Sequence, residues 1–310
     1  GAKHGVPHFT DMHAMMDAHD GDIDVICILT ESGLHAEHTI ALSCYGKHMV
    51  VEKPMALTLH DADEMIRICD DAGIKLFVVK QNRYNLPVRK LRQALEAGRF
   101  GKLVMGTVRV RWKRDQAYYD QDSWRGTWAM DGGVFANQAS HHIDLLEWCM
   151  GSAATVYART NTALVDIESE DTGVVIIAFK NGAIGVIEAT TATRPKDIEG
   201  SISILGEHGT VEIGGFAVNE MRQWHFTEAL PEDNEVLGTY RENPPDVYGF
   251  GHVAYLDHVV DVIVNDSPSL VDGPEGRKSL ELITAIYQSV ETGKEVEVSS
   301  QKRDIRLGRR

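Results

Sequence analysis

The chain has 310 residues, of which 43% are hydrophobic and 25% charged, with a formal net charge of −15. That length holds two ordinary domains, and the composition is that of a folded globular protein. The acidity argues against nucleic acid or an anionic membrane as main partner, and no run of 18 or more apolar residues is present to span a bilayer.

In chain order, residues 1–5 read as the tail of a helix, Val6-Pro7-His8-Phe9 as a short strand, and 11–18 as a helix. Asp11 sits near the N-cap of that helix, with Met12, Met15 and Met16 facing inward. Residues 24–29 form an apolar run, as expected of a strand buried on both faces. A helix over 34–45 ends at Gly46, and a strand running through Val50-Val51 stops at Glu52-Lys53-Pro54. A helix over 59–72 closes at Gly73, and a strand follows at 75–79. Strands alternating with helices through short links predict a parallel α/β domain.

The pattern changes after Asn85. A helix is expected at 87–97. Residues 103–112 alternate, placing Val104, Val108, Val110 and Trp112 on one face and Leu103, Arg109, Arg111 and Lys113 largely on the other. Gly132-Gly133 leads into a helix ending at Met150. Strands are expected at 155–159, 172–179, 183–190, 201–205 and 210–213, with Asn181-Gly182 as a hairpin turn. Helices around 253–264 and 276–290 follow, and the acidic loop 228–246 is expected to be mobile. The fold class is therefore an α/β domain with a doubly wound parallel sheet over 1–85, then an α+β domain over 86–310 with a large open, mostly antiparallel sheet. Cys27, Cys44, Cys69 and Cys149 show no C-x-x-C spacing and sit in apolar or helical contexts, so they read as core thiols in a reducing cytoplasm rather than a metal site or disulfides.

Several clusters carry chemistry. Lys53, at the carboxyl end of a parallel strand, would aim its ammonium into the crevice where such sheets bind ligands; the alternative is a surface lysine at a strand end. Thr30, Ser32 and His35 stand at a helix start after another strand, suiting a phosphate, ribose or carboxamide, or simply capping the helix. Gln81-Asn82-Arg83-Tyr84-Asn85 follows the third strand and would hydrogen-bond a nicotinamide or sugar, or else serve as a polar interdomain connection. Asn137 and His141 are four apart and share a helix face, with His142 turned away; His141 is a candidate general base or a core histidine. The cations Arg109, Arg111, Lys113 and Arg114 suggest an anionic ligand, an acidic partner or an ion-paired solvated face. Arg194 and Lys196 are weaker candidates of the same kind. Gly206-x-x-Gly209 and Gly214-Gly215 lead into strands and read as hairpin turns, and no G-x-G-x-x-G occurs.

Taken together, Thr30-x-Ser32-x-x-His35, Glu52-Lys53-Pro54, Gln81-Asn82-Arg83-Tyr84, Trp124-Arg125 and Gly132-Gly133 leading to Asn137…His141-x-x-Asp144 resemble the Gfo/Idh/MocA oxidoreductase family. The resemblance runs from residue 1 to about 290 and implies an NAD-binding Rossmann domain, then a domain whose sheet binds substrate and joins copies into a homodimer or homotetramer. Segments 79–85, 118–128 and 135–142 are similar to the branch that oxidises the C3 hydroxyl of UDP-N-acetyl-glucosaminuronic acid for lipopolysaccharide O-antigen synthesis. On that resemblance Lys53 and His141 are catalytic. Thr30, Ser32, His35, Glu52, Lys53, Pro54, Gln81, Asn82, Trp124 and Arg125 bind the cofactor, which is NAD. Arg83, Tyr84, Asn137, His141 and Arg194 meet the UDP-sugar uronate. Family members with aspartate at the position of Asn137 have an acid there that this chain lacks. The resemblance also places a first strand, a G-x-G-x-x-G turn and a ribose-binding acid ahead of residue 1. The expectation is thus an N-terminally incomplete Rossmann domain with weak NAD binding. An alternative within the family is another sugar or inositol dehydrogenase, and outside catalysis a sugar-nucleotide-binding oligomer. A cytoplasmic location is expected.

Overall fold

Three short parallel strands open this computed structural model, which describes residues 1–242, 244 and 247–309. They are β1 (Val25–Ile28), β2 (His48–Val51) and β3 (Leu76–Val78), hydrogen-bonded in the order β1-β2-β3. Helix α1 (Met12–His19) precedes β1, and α2 (His35–Leu42) and α3 (Leu59–Asp71) connect the three strands. Local chemistry sets these boundaries. The Asp11 carboxylate accepts the Ala14 amide to cap α1, and the Thr58 hydroxyl accepts the Asp61 amide to cap α3. In α3 the buried Leu59, Ala62, Met65 and Cys69 recur at helical spacing, so one face lies on the sheet. Gly46 and Gly73 close the helical segments at φ 67 and 66°, a left-handed conformation strained for other residues. The expected strand at 6–9 does not form: Pro7 lacks a ladder donor, and Val6 is 58% exposed, with no strand paired to it among the described residues.

The second part contains α4 (Leu86–Glu96), β4 (Leu103–Arg111), α5 (Gln116–Tyr119), α6 (Ser140–Met150), β5 (Ala153–Asn161), β6 (Thr172–Phe179), β7 (Ile184–Thr190), β8 (Glu199–Gly206), β9 (Gly209–Gly214), β10 (Glu220–Phe226), α7 (Asp233–Thr239), α8 (Gly251–Asn265), α9 (Gly273–Thr292) and β11 (Val296–Glu297). The strands form one sheet in the order β10-β9-β8-β4-β7-β6-β5-β11, antiparallel throughout except for the β4–β7 pair. Its inner face, including Val108, Val110, Val156, Val175, Ile177, Ile187, Ile202 and Ile204, packs against Ile143, Leu146, Ile283, Ile286 and Tyr287 of α6 and α9. The other face is open.

Two departures from the sequence pattern have local causes. A register shift between Leu103 and Met105 inserts an extra residue, so Val104 leaves the inner row and is 53% exposed, while Val108 and Val110 keep it. Strand β10 was not expected because a shift between Met221 and Gln223 leaves two polar residues exposed in succession and hides the alternation. The expected loop 228–246 contains α7, and Asn243, Pro245 and Asp246 lie outside the described residues. Of the four expected core thiols Cys69 and Cys149 are buried, but Cys27, on the exposed face of the edge strand β1, and Cys44, in the turn after α2, are not.

Helices α8 and α9 return to the parallel sheet. Tyr255, Val259 and Val262 of α8 cover Val50, Phe77 and Val79. The Val78 amide donates to the Val271 carbonyl at 2.8 Å, so the two sheets share one framework, with the strand ends β1–β3 facing α6.

Candidate active site

Loops leaving the carboxyl ends of β1, β2 and β3 form one wall of a crevice, and the turn before α6 forms the other. The β2 loop carries Lys53, which is half-buried. Its ammonium donates to the backbone carbonyl of Asn137 at 3.0 Å and to Asn137 Oδ1 at 2.9 Å. An ammonium has three N–H groups, so one remains for a ligand. Burial pushes this amine below its ordinary range, and the carboxylates of Glu52 and Asp131 oppose that shift.

Asn137 was expected on the same helix as His141, but α6 begins at Ser140 and Asn137 lies in the turn before it. It still meets the site because the Ser140 hydroxyl donates to its carbonyl at 2.8 Å. Its side-chain Nδ2 donates to Asp131 Oδ1 at 2.6 Å, and the other Asp131 oxygen accepts the Gly126 amide at 2.8 Å.

His141 is buried in the first turn of α6, within electrostatic reach of Lys53, Lys80 and Asp144. Its pKa lies well below the ordinary 6.5, chiefly through burial and then through the Lys53 and Lys80 cations. The ring is therefore neutral at neutral pH, the state in which an imidazole accepts a proton. His142 turns into the core, as the helix spacing requires.

Behind these groups lies a buried ionic cluster. Lys80 Nζ is 3.1 Å from Asp144 Oδ1 and donates to the Ser279 hydroxyl. Arg83 grips Asp144 through Nε and Nη2, both at 2.8 Å, and donates from Nη1 to the Leu270 carbonyl and to Glu275. Burial raises the Asp144 carboxyl, but the Arg83 and Lys80 cations outweigh it and hold the group well below the usual carboxylate range. Arg83 thus spends its donors inside the fold. The available signal for Lys80 was its place directly after the third apolar strand, parallel to Lys53 after the second. Asp131, in a polar turn, gave no signal of burial, since charged residues there usually face solvent, and Asp144, although part of the motif with His141, gave none of its partners.

The remaining expected residues divide. His35 brackets two loops, with Nδ1 at 2.8 Å from the Pro54 carbonyl and Nε2 at 3.0 Å from the Thr30 carbonyl. Thr30 is exposed and bonds His38, Ser32 is buried, and Glu52 accepts the Lys53 amide at 2.9 Å. Gln81 and Asn82 are buried after β3, and their side-chain oxygens, with the Tyr84 hydroxyl, lack partners among the described residues. Arg125 stacks on Trp124 and Tyr118 at 4.7 and 4.6 Å, and the Gly33 amide donates to Met130 O, tying the 124–131 turn to the β1 loop. Arg194 is exposed and donates to backbone oxygens of Thr191, Thr193 and Arg114. Arg109 and Arg111 lie away from the crevice, on the open sheet face, paired with Glu188 and Glu199. Lys113 pairs with Asp115, and Arg114 with Asp197.

Unpartnered buried amide oxygens at the end of β3 fit the nicotinamide and ribose end of a dinucleotide, whose carboxamide and hydroxyl groups supply donors. Among the described residues no group of three or more His, Cys, Asp or Glu side chains is placed to hold a metal ion, and no helix is long and apolar enough to cross a membrane.

Residues 1–80 match the family profile for the oxidoreductase family's NAD-binding Rossmann fold, and residues 92–298 match that for its C-terminal alpha/beta domain. The chain belongs to the Gfo/Idh/MocA oxidoreductase family, and it is an NAD-dependent dehydrogenase. It is similar to the WlbA dehydrogenase of Bordetella pertussis, solved with NADH and UDP-GlcNAcA, at 44% identity and a TM-score of 0.90 over 96% of this chain and 85% of that one. The WlbA dehydrogenase of Chromobacterium violaceum, solved with the same two molecules, is 42% identical with a TM-score of 0.88 over 96% of this chain and 84% of that one. Myo-inositol 2-dehydrogenase of Thermotoga maritima is 27% identical over 94% of this chain and 84% of its own length.

Proposed function

We propose that this protein oxidises the C3 hydroxyl of UDP-N-acetyl-glucosaminuronic acid to the 3-keto sugar, as a step toward the aminouronic sugars of lipopolysaccharide O-antigen. The observation that carries the proposal is the pairing of an ammonium held on Asn137 with a neutral, buried imidazole at the strand-end crevice, in a chain so similar to two dehydrogenases solved with that sugar nucleotide.

His141 takes the proton of the C3 hydroxyl. The free N–H of Lys53 meets the same oxygen and stabilises the alkoxide as charge develops, an interaction worth about 3 kcal/mol in a site shielded from water. NAD⁺, when bound, supplies a hydride acceptor. Gln81, Asn82 and Ser32, with the loops that His35, Glu52 and Pro54 shape, would hold its nicotinamide–ribose end, and Thr30, Trp124 and Arg125 would flank it. Asn137 and Tyr84 orient the sugar. Since Arg83 is committed to Asp144, its role is to hold the wall behind the crevice, and the uronate and diphosphate charges fall to Arg194 and Arg114. Copies of the chain associate through the open face of the large sheet.

The test is NADH formation by the purified protein from UDP-N-acetyl-glucosaminuronic acid, with myo-inositol in parallel. Lys53→Ala and His141→Ala should each lower kcat by roughly 10²–10⁴ while KM changes far less. Turnover of myo-inositol alone would move the substrate to a polyol. Near-normal kcat in both variants would sink the assignment of the two groups.

A further inference from the structure

We infer that Asp131 is a positioning residue that fixes the side-chain orientation of Asn137 and through it directs the ammonium of Lys53 at the reacting centre. For its catalytic consequence this rests on the dehydrogenase reading above; the geometry stands without it.

Two of the Lys53 hydrogen bonds end on Asn137, one on the backbone and one on Oδ1. The second exists only while the amide presents its oxygen to Lys53. An ammonium can only donate and a carboxylate can only accept, so the amide between them has one acceptable orientation: oxygen to Lys53, nitrogen to Asp131. Flipping it would set NH₂ against the ammonium and oxygen against the carboxylate.

Asp131 is 1% exposed, and both of its oxygens are used. Oδ2 accepts the Gly126 amide at 2.8 Å, and Oδ1 accepts Asn137 Nδ2 at 2.6 Å. Only a carboxylate offers two acceptors here. An asparagine at 131 has one oxygen; given to the Gly126 amide, it turns its own NH₂ toward Asn137, which must then flip and lose Lys53. Gly126 follows Trp124-Arg125, so one carboxylate joins the turn beside the β1 loop to the lysine of the β2 loop.

The charges facing Asp131 are Lys53 from the β2 loop, Arg125 from its own turn, and Glu170 from the segment before β6; the Tyr119 hydroxyl approaches from α5. Burial raises the Asp131 carboxyl to about 6, while the Gly126 and Asn137 hydrogen bonds and the Lys53 and Arg125 charges oppose the rise. Activity should therefore fall as pH drops through about 6, where Asp131 gains a proton and ceases to dictate the amide.

The test has two arms. In steady-state kinetics Asp131→Asn should lower kcat by about 10- to 100-fold, with KM changed little, as for other groups that orient a site through a neighbour. Asn137→Asp alone sets two carboxylates against each other and should also be impaired. The exchange Asp131→Asn/Asn137→Asp returns a carboxylate to Lys53 and an amide donor to that carboxylate, and should recover at least tenfold over either single variant.

The second arm needs no turnover. Acetylation of Lys53 by acetic anhydride, followed by peptide mass spectrometry across pH, reads the protonation of its amine. Without the Asp131 charge the labelling midpoint should move down by about one pH unit. A midpoint unchanged in Asp131→Asn, or an exchange variant no better than the single ones, overturns the proposal. Wild-type protein that forms no NADH at saturating NAD⁺ overturns the dehydrogenase reading instead, and the labelling arm then decides the role of Asp131.

Discussion

His141 and His142 are sequence neighbours with opposite fates. His141 opens on the crevice, whereas His142 is 0% exposed, edge-on to Trp112 at 5.6 Å, with neither ring nitrogen partnered among the described residues. Burial lowers its pKa to about 4. Its folded-state value lies below the unfolded one, so the stability it contributes is complete above about pH 6.5 and is lost as pH falls toward 4. At about 1.4 kcal/mol per pH unit, the full loss is about 3 kcal/mol. Glu170 and Asp131, raised by burial to about 7 and about 6, act in the opposite sense and add stability that disappears as pH rises. Comparing urea midpoints of wild type and His142→Leu from pH 7 to 4 isolates the histidine: the variant should lose less stability over that interval, and parallel curves would refute the account. At this scale the sequence was partly legible. Spacing separated the two histidines, and strand-end position singled out Lys53. Spacing did not reveal that Asn137 acts from a turn, nor that Lys80 and Arg83 are buried against Asp144, because pairing that makes a buried charge tolerable is invisible until the chain folds.

Helix α9 is the element that makes one framework of two sheets. Near its start Gly276 lies on Val78 of β3, where a Cβ would come within 2.2 Å of Val78 Cγ2. One turn on, Leu280 joins the core of the parallel sheet. Farther along, Leu282, Ile286 and Tyr287 fill the core of the large sheet, and the Ser289 hydroxyl accepts the Ala158 amide at 3.0 Å. The Tyr287 hydroxyl also accepts the Gly133 and Ala136 amides and donates to Glu170, so this helix secures the turn that carries Asn137. Gly276→Ala should therefore destabilise by about 1–3 kcal/mol, the usual cost of overpacking a tight contact, and lower one urea transition seen by probes in both sheets. Gly238 of α7 has nothing within 4 Å of a built Cβ, so Gly238→Ala should instead stabilise by roughly 0.5–1 kcal/mol. Equal effects at the two sites would refute the packing argument. Periodicity identified α9 as a helix. Its attachment to the parallel sheet, some 200 positions earlier in the chain, was not legible, because apolar period shows that a face is buried and not against what.

At the scale of the molecule, the two faces of the large sheet differ sharply. The face away from α6 and α9 carries two apolar rows across neighbouring strands, Tyr157–Ile176–Val186 and Ala178–Ile184–Met105–Leu205. Ile176 and Ile184 are 54% and 53% exposed, and Val174 beside them is 47% exposed. Farther along the strands the face becomes a ladder of Glu188 and Glu199 alternating with Arg109 and Arg111. An apolar patch rimmed by paired charges is the composition of an interface, apolar at its centre and polar at its edge. A second copy of the chain would supply a matching surface without a new partner, since a two-fold axis through the sheet would set the same rows against each other. The ion pairs are partly exposed and screened by salt, so they would contribute orientation more than affinity. Sedimentation equilibrium at micromolar protein should therefore return a dimer or tetramer for the wild type. Ile176→Lys with Ile184→Lys should return a single chain, because each buried lysine would face its own symmetry mate or apolar surface without a counter-charge. High salt should shift the wild-type equilibrium far less than the two lysines do. A wild type that sediments as a single chain, or lysine variants that assemble as the wild type does, would show that this face is not the interface.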